Sequence, residues 1–333
     1  MSAAVLVVAS EHRTGGLETW DVSASARPRL LDRVSLPWVN AITLHPRLPV
    51  GYAVTSEHCR IATVALIEDG GIETRAEVAT GPTLPCALTV DPSGSALVVV
   101  HYLAGRVTRH RLGSDGSVED SESLPVPPGA GPDLDRQDRP YPHQARFVPG
   151  DGGDLWVSDL GADRLLRYPI GDGPPDVLAL ARGSGPRHFA WLGEHRVAVV
   201  EELSSRLSVY RIEAGALDLL GSAPLGAAVP GRTRNYPSDL AVRPDRALVY
   251  VANRGAGSIS VVDVTAGPSV VQEITVGVWP QNLLLGTDGL WCAVRDDDRI
   301  VRLPFLERGL LGAPEHVVEV SRPSWIEWLS CGE

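Results

Sequence analysis

A proline-opened pair of short apolar strands recurs along this chain of 333 residues. One clear copy runs from Pro85 through Val90 and continues to Tyr102. An early unit opens near Pro37. Later units open at Pro85, Pro142, Pro186, Pro237 and Pro280, and the intervals between these five prolines are 57, 44, 51 and 43 residues. Repeats of ~40–50 residues with about four short strands each are typical of β-propeller blades. The pattern therefore predicts an all-β fold built from similar sheets.

The number of blades follows from these units and from the two ends of the chain. Six units are complete, and the longest interval contains an insertion from Pro125 to Arg139. Pro323 to Leu329 matches only the first strand of a unit, and the apolar runs within residues 5–34 can supply the other three. Such sharing closes the ring without a free sheet edge. We therefore predict a single domain over residues 1–333, a seven-bladed β-propeller with one blade closed by strands from both termini; six or eight blades are the alternatives.

The charge and composition exclude several classes of protein. The formal net charge is −11, so a nucleic acid partner is not expected. No apolar run approaches the ~18 residues that a membrane span needs. All 30 basic residues are arginine, which excludes lysine Schiff-base chemistry. The N-terminus lacks a basic leader segment, so we expect a cytoplasmic protein with reduced thiols at its widely spaced cysteines, Cys59, Cys86, Cys292 and Cys331.

The repeat places two rings of residues at one end of the predicted channel. In a blade, the start of the first strand and the end of the second lie on the same face. The ring from the first strands contains Cys86, His143, Arg187, Ser238, Gln281 and Ser324. The ring from the second strands contains Tyr102, Leu160, Glu202 and Arg254. Ionisable residues therefore concentrate on three consecutive blades.

Four of these residues have complementary chemistry. His143 can act as a base toward water, and Glu202 can orient it or serve as the base itself. Arg187 and Arg254 can bind a carboxylate or phosphate and stabilise a developing oxyanion. A wet channel mouth that tolerates any polar residue is the alternative interpretation.

Several segments resemble blocks of one family, in the order that the family has them: Gly131 to Gln137, Pro142-His143, Ser158 to Arg164, Gly183 to His188, Glu202 to Ser205, and Asn253 to Gly255. The chain is similar to the lactonase family of seven-bladed propellers, which includes bacterial 6-phosphogluconolactonase and fungal carboxy-cis,cis-muconate cyclase. The resemblance implies a catalytic set of His143, Glu202, Arg187 and Arg254. We also expect a substrate-binding set, which consists of Arg187, Arg254, Tyr141, His188 and Gln281.

The chain also departs from the family pattern. Tyr141 stands where the family often has a second histidine, and Glu201 replaces an asparagine. Gln281 replaces an arginine, and Val294-Arg295 replaces an Asn-Gln pair. These changes concern substrate identity more than fold.

The resemblance implies a lactone hydrolase that acts on a small anionic lactone, specifically 6-phosphogluconolactone, without cofactor or metal. A muconate-cyclase-like cycloisomerase acting on another carboxylated substrate is the first alternative. A non-catalytic propeller that serves as an interaction scaffold is the second.

Overall fold

The computed structural model describes residues 4–23, 28–81, 84–149, 153–169, 173–213, 215–226 and 234–329. These residues form seven antiparallel sheets of four strands each. The innermost strands of the sheets contact one another in order and close into a ring. The predicted seven-bladed β-propeller is therefore confirmed.

The strands have the following bounds. The chain begins with β1 (Val5–Ser10), β2 (Gly16–Asp21) and β3 (Arg29–Ser35), which belong to the closing blade. Blade 1 consists of β4 (Val39–Leu44), β5 (Val50–Thr55), β6 (Arg60–Leu66) and β7 (Ile72–Ala79). Blade 2 consists of β8 (Pro85–Val90), β9 (Ala96–His101), β10 (Arg106–Leu112) and β11 (Val118–Leu124). Blade 3 consists of β12 (Pro142–Phe147), β13 (Leu155–Asp159), β14 (Arg164–Tyr168) and β15 (Asp176–Ala179).

The second half of the ring follows the same plan. Blade 4 consists of β16 (Pro186–Trp191), β17 (Arg196–Glu201), β18 (Arg206–Glu213) and β19 (Ala216–Pro224). Blade 5 consists of β20 (Pro237–Val242), β21 (Leu248–Asn253), β22 (Ser258–Asp263) and β23 (Ser269–Thr275). Blade 6 consists of β24 (Pro280–Leu285), β25 (Gly289–Val294), β26 (Arg299–Pro304) and β27 (Glu315–Glu319), and β28 (Pro323–Leu329) completes the closing blade. Short 3-10 turns lie at Glu68–Gly70, Leu160–Ala162, Arg295–Asp297 and Glu307–Gly309. Among the described residues, no helix has the length and hydrophobicity that a membrane-spanning helix requires.

Burial explains why the strands have their compositions. The second strand of a blade is covered on both faces by neighbouring blades, so β9 and β21 are almost continuous apolar runs. The outermost strands face solvent, and β11 carries five acidic or serine side chains in succession. Each neighbouring pair of blades shares one buried apolar cluster; Tyr250 and Leu290, for example, belong to the cluster between blades 5 and 6.

The closing blade joins the two ends of the chain as predicted. Strand β28 pairs antiparallel with β1, and Val7 lies opposite Glu327. The Ser324 hydroxyl donates a hydrogen bond to the Val39 carbonyl of blade 1, over 2.8 Å. The ring is therefore held between its ends by both a strand ladder and a bond to the next blade.

A bulge occurs at the start of every innermost strand. In blade 3, Pro142 pairs with Asp159 and Gln144 with Ser158, so His143 is left out of the ladder. The corresponding residues at the other bulges are Asn40, Cys86, Arg187, Gln281 and Ser324, and in blade 5 both Ser238 and Asp239 are left out of the ladder. A bulge re-aims a side chain that a regular strand would direct elsewhere. The predicted first-strand ring is therefore a set of bulged residues at one end of the channel.

Candidate active site

A cavity of about 150 Å³ lies where the two predicted rings meet. Its lining residues are Glu11, Asn40, Leu84, Cys86, Tyr102, His143, Arg187, His188, Gln281, Arg295 and Trp325. Larger depressions of about 750, 820 and 570 Å³ lie elsewhere. No histidine lines the first two, and the third is a mainly acidic one that contains His316. The volume at the channel mouth is below the ~300 Å³ of pockets for drug-sized ligands, so it favours a small ligand.

The Glu202 carboxylate forms the centre of an arginine cluster beside this cavity. It follows β17 directly and is 2% exposed. Its Oε1 lies 2.6 Å from Arg136 Nη2, while its Oε2 lies 2.5 Å from Arg254 Nη2 and 3.2 Å from Arg187 Nε. The Arg187 contact is a close ion pair without hydrogen-bond alignment, since Nε has no hydrogen-bond partner. Three guanidiniums thus share one buried carboxylate.

The arginines determine the protonation of Glu202. Burial alone would raise the pKa of the carboxyl, but Arg254, Arg187 and Arg136 outweigh it and lower the pKa to about 2. Glu202 is therefore ionised throughout the physiological pH range. Such a weak base is better suited to holding guanidiniums in place than to accepting a proton.

A series of hydrogen bonds from Asp239 through His188 holds the guanidinium of Arg187 in place. Asp239 Oδ1 lies 2.8 Å from His188 Nδ1, and His188 Nε2 lies 3.2 Å from Arg187 Nη1. Because the guanidinium can only donate, His188 accepts at Nε2 and donates its Nδ1 proton to Asp239. Burial, followed by Arg187, lowers the pKa of His188 to about 4, so the ring is neutral at neutral pH. Arg187 Nη1 also donates to the Ser238 carbonyl.

His143 is held among rings and cations without a hydrogen bond at Nδ1. Its ring lies edge-on to Tyr102 and His188, with centroids 5.3 and 5.5 Å away. Burial, with Arg187, His188 and Arg254, lowers the pKa of His143 well below 6.5. The imidazole is therefore neutral at pH 7 and can accept a proton.

The other predicted residues fall into two groups. His188 and Gln281 line the cavity together with Arg187 and His143. Glu202 lies beside the cavity because it contacts Arg187, and Arg254 lies there because it contacts Glu202. Tyr141 is not among the lining residues; its hydroxyl donates to Asp138 over 2.6 Å, and its ring lies 4.9 Å from Tyr102.

Two further ring residues have no acid–base role in this cluster. Leu160 is fully buried and packs with Tyr141 and Leu203. Burial raises the pKa of the Cys86 thiol to about 12, so it is not an activated nucleophile.

Sequence reasoning missed three charged residues at this site. Arg136 lies on the insertion between blades 2 and 3, and it donates to Tyr102 as well as to Glu202. Glu11 and Arg295 line the cavity, and their side chains lie 3.6 Å apart. Each of these two directly follows the second strand of its blade, which is the position that identified Glu202 and Arg254. The same positional rule, applied to the closing blade and blade 6, could have found them.

Among the described residues, three of the seven buried side-chain atoms that lack a hydrogen-bond partner belong to residues that line this cavity. His143 Nδ1, Gln281 Oε1 and Arg187 Nε are buried without a hydrogen-bond partner. Buried polar atoms are normally paired, so such a concentration is expected where a ligand supplies the partners. In the part of the chain that the structure describes, no three histidine, cysteine or acidic side chains are grouped as a metal site requires.

Comparison with known proteins defines the class. The family described as "Lactonase, 7-bladed beta-propeller" matches residues 6–328, so the chain belongs to this lactonase family. The chain is 31% identical to the 6-phosphogluconolactonase of Bacillus subtilis (strain 168) over 227 residues, which cover 65% of this chain and 64% of that protein. It is 26% identical to the 6-phosphogluconolactonase of Pectobacterium carotovorum over 265 residues, 77% of this chain and 76% of the relative.

Solved structures share the fold at low sequence identity. The periplasmic gluconolactonase of Pseudomonas aeruginosa matches with a TM-score of 0.87 at 20% identity, and the match covers 99% of this chain and 100% of the gluconolactonase chain. The virginiamycin B lyase of Staphylococcus aureus matches with a TM-score of 0.60 at 16% identity, and the match covers 84% of this chain and 83% of the lyase chain. These likenesses establish the propeller fold.

Proposed function

We propose that the chain hydrolyses the lactone ring of 6-phosphogluconolactone, a reaction of carbohydrate metabolism. The observation that carries this proposal is the neutral imidazole of His143 beside a buried, positively charged arginine cluster in a small cavity at the channel mouth. The names of the Bacillus and Pectobacterium relatives support the choice of substrate.

In the proposed reaction, His143 activates a water molecule. Water attacks the lactone carbonyl carbon while the imidazole accepts one of its protons, and a tetrahedral oxyanion forms. The intermediate then collapses, the bond from the carbonyl carbon to the ring oxygen breaks, and the imidazolium returns the proton to the departing alkoxide. The products are the hydroxy acid and the regenerated neutral histidine. The unpaired Nδ1 of His143 is available for this proton transfer.

The arginines supply the positive charge that this reaction needs. Arg136, Arg187 and Arg254 face the single carboxylate of Glu202, which leaves a formal excess of two positive charges. We assign Arg187 to the oxyanion because it lines the cavity, and Arg254 to the anionic substituent of the substrate. Glu202 positions all three guanidiniums instead of acting as the base, in keeping with its low pKa.

The proposed setting of the enzyme is the cytoplasm. Cys59, Cys86 and Cys292 are free thiols, which agrees with a reducing compartment, and Cys331 lies outside the described residues. The substrate is a small anionic lactone, and the proposed chemistry uses neither a cofactor nor a metal.

The choice between hydrolysis and cyclisation can be tested with two substrates. We expect the protein to accelerate proton release from fresh 6-phosphoglucono-δ-lactone above its spontaneous rate, with no effect of a chelator. We expect no change in the ultraviolet absorbance of 3-carboxy-cis,cis-muconate. Turnover of the muconate without hydrolysis of the phosphorylated lactone would favour the cyclase, and turnover of neither would favour the scaffold.

A further inference from the structure

The cavity has a second wall that the proposed reaction does not use. Glu11, Asn40, Gln281 and Arg295, which we call the second wall, come from blade 6, the closing blade and blade 1. These three blades are consecutive in the ring. The reacting residues His143 and Arg187 come from blades 3 and 4. The cavity therefore has two sides with different residues.

The two walls also differ in charge. The cluster around Glu202 has three arginines and one carboxylate. On the second wall, Arg295 lies 3.6 Å from Glu11 and 2.9 Å from Asp296, which is also paired with Arg322 over 3.3 Å. These two arginines and two carboxylates have no net charge. An anionic group is therefore attracted to the first wall and not to the second.

The second wall nevertheless offers strong hydrogen-bonding groups. Gln281 Oε1 is buried and has no partner. The Glu11 carboxylate is partly exposed on the cavity wall, and burial raises its pKa above the usual value in spite of Arg295 and Arg322. Neutral hydroxyl groups satisfy both: a hydroxyl donates to an oxygen acceptor and brings no charge.

A sugar δ-lactone has two edges that match these walls. Its carbonyl carbon and the carbon that bears the phosphorylated arm both flank the ring oxygen. Its hydroxyl groups occupy the three ring carbons on the opposite edge. If the reactive, anionic edge lies against His143 and Arg187, the hydroxyl edge faces Glu11, Asn40 and Gln281.

We propose that Glu11, Asn40 and Gln281 form a hydroxyl-recognition subsite that selects polyhydroxylated lactones. Neighbouring hydroxyls donate to the Glu11 carboxylate and to Gln281 Oε1. The side-chain oxygen of Asn40 completes the row, since its amide nitrogen donates to the Pro85 carbonyl over 3.5 Å. Arg295 is a positioning residue, since its contact with Glu11 holds the carboxylate at the cavity. This inference rests on the proposed lactonase function and specifies its substrate class.

The test compares two uncharged lactones that differ in their hydroxyl groups. Glucono-δ-lactone carries the hydroxyls, and δ-valerolactone has the same six-membered ester ring without them. For Glu11→Ala and Gln281→Leu, we expect the ratio of kcat/KM values, hydroxylated over unhydroxylated, to fall about tenfold to a hundredfold. Gln281→Leu removes no charge, so it separates hydrogen bonding from electrostatics. Glu315→Gln, which alters a Glu–Arg pair on the outer strand β27, is the matched control and should leave the ratio unchanged.

Binding measurements separate this inference from the proposed function. Calorimetry compares D-gluconate with 5-hydroxypentanoate, which are the corresponding products, and does not depend on turnover. We expect the wild type to prefer gluconate and both variants to lose the preference. If no lactone is hydrolysed but this pattern appears, the lactonase proposal fails and the subsite stands. An unchanged ratio and preference in both variants, an equal loss on both ligands, or no gluconate binding by the wild type would overturn the subsite.

Discussion

At the scale of single residues, His143 and Glu202 respond oppositely to shared cationic neighbours, because the charged carboxylate is negative and the charged imidazole is positive. Glu202 is surrounded by cations that stabilise its charged form, whereas the same cations disfavour a charged imidazole at His143. The arginine cluster thus keeps the carboxylate ionised near pH 7, while burial together with the same arginines keeps the resting imidazole of His143 neutral. Removing Glu202 would leave three guanidiniums without their counter-charge. Loss of one partner from a buried ion pair lowers the free energy of unfolding by about 3–5 kcal/mol.

The pH dependence of hydrolysis tests this effect on His143. The base must be neutral, so kcat/KM falls as the pH drops through the pKa of His143 in the free enzyme. Because that pKa is lowered, we expect kcat/KM for glucono-δ-lactone to stay level through pH 6.5 and to decline only in more acidic solution. Rates corrected for spontaneous hydrolysis between pH 4.5 and 8 provide the measurement. A midpoint at or above pH 6.5 would contradict the assignment.

Much of the residue-level site could be predicted from repeat position. The rule that compares equivalent positions identified His143, Arg187, Glu202 and Arg254, and the structure gathers them in one cluster. Arg136 could not be found in this way because it lies on an insertion with no equivalent in other units. The hydrogen bonds from Asp239 through His188 could not be predicted from sequence either, because they depend on the directions of side chains from two different blades.

At the scale of elements, the insertion from Pro125 to Arg139 brings a side chain to the site. Gln137 is fully buried, and its amide donates to the Leu160 carbonyl over 2.8 Å and to Asp163 over 2.6 Å. Asp163 in turn accepts from the backbone of Gly185 over 2.8 Å. This anchor fixes the insertion against blade 3 and so places the adjacent Arg136 on Glu202. The bulges act similarly, because each one directs a strand residue to the channel mouth.

Loss of the insertion's anchor should impair catalysis through Arg136. We expect Gln137→Ala to lower kcat/KM on 6-phosphogluconolactone about tenfold to a hundredfold, because the guanidinium is no longer held in place. If Gln137 acts through Arg136, the double variant Gln137→Ala/Arg136→Ala should be no worse than Arg136→Ala alone.

A second glutamine provides the control for this cycle. Gln272 makes a similar pair of bonds to the backbone of Leu311, between blades 5 and 6. Gln272→Ala should not affect kcat/KM. Fully additive losses in the double variant would mean that Gln137 does not act through Arg136.

At the scale of the whole molecule, each blade depends on its neighbours. Every adjacent pair shares a buried apolar cluster, and β28 contributes Ile326 and Leu329 to the two clusters that flank the closing blade. The split seventh blade was predictable because its missing strands could be counted at both ends of the chain. The bulges were not, since strand periodicity does not reveal which residue leaves the ladder.

That residues 1–333 form one domain stays a prediction, and unfolding tests it. Because apolar clusters link all blades, we expect a single transition in thermal unfolding, coincident by circular dichroism and tryptophan fluorescence. A chain that ends at Arg322 lacks β28, exposes the edge of β1 and should lose this cooperative transition. Two separate transitions in the full chain would indicate independent domains.

The central claim is that His143 is the base in lactone hydrolysis, and one comparison of rates tests it most directly. Proton release from fresh 6-phosphoglucono-δ-lactone is followed for the wild type, His143→Ala and the surface control His195→Ala, against the spontaneous rate. We expect the wild type and the control to accelerate the reaction equally and His143→Ala to lose about a hundredfold or more. Full activity in a correctly folded His143→Ala variant would contradict the account.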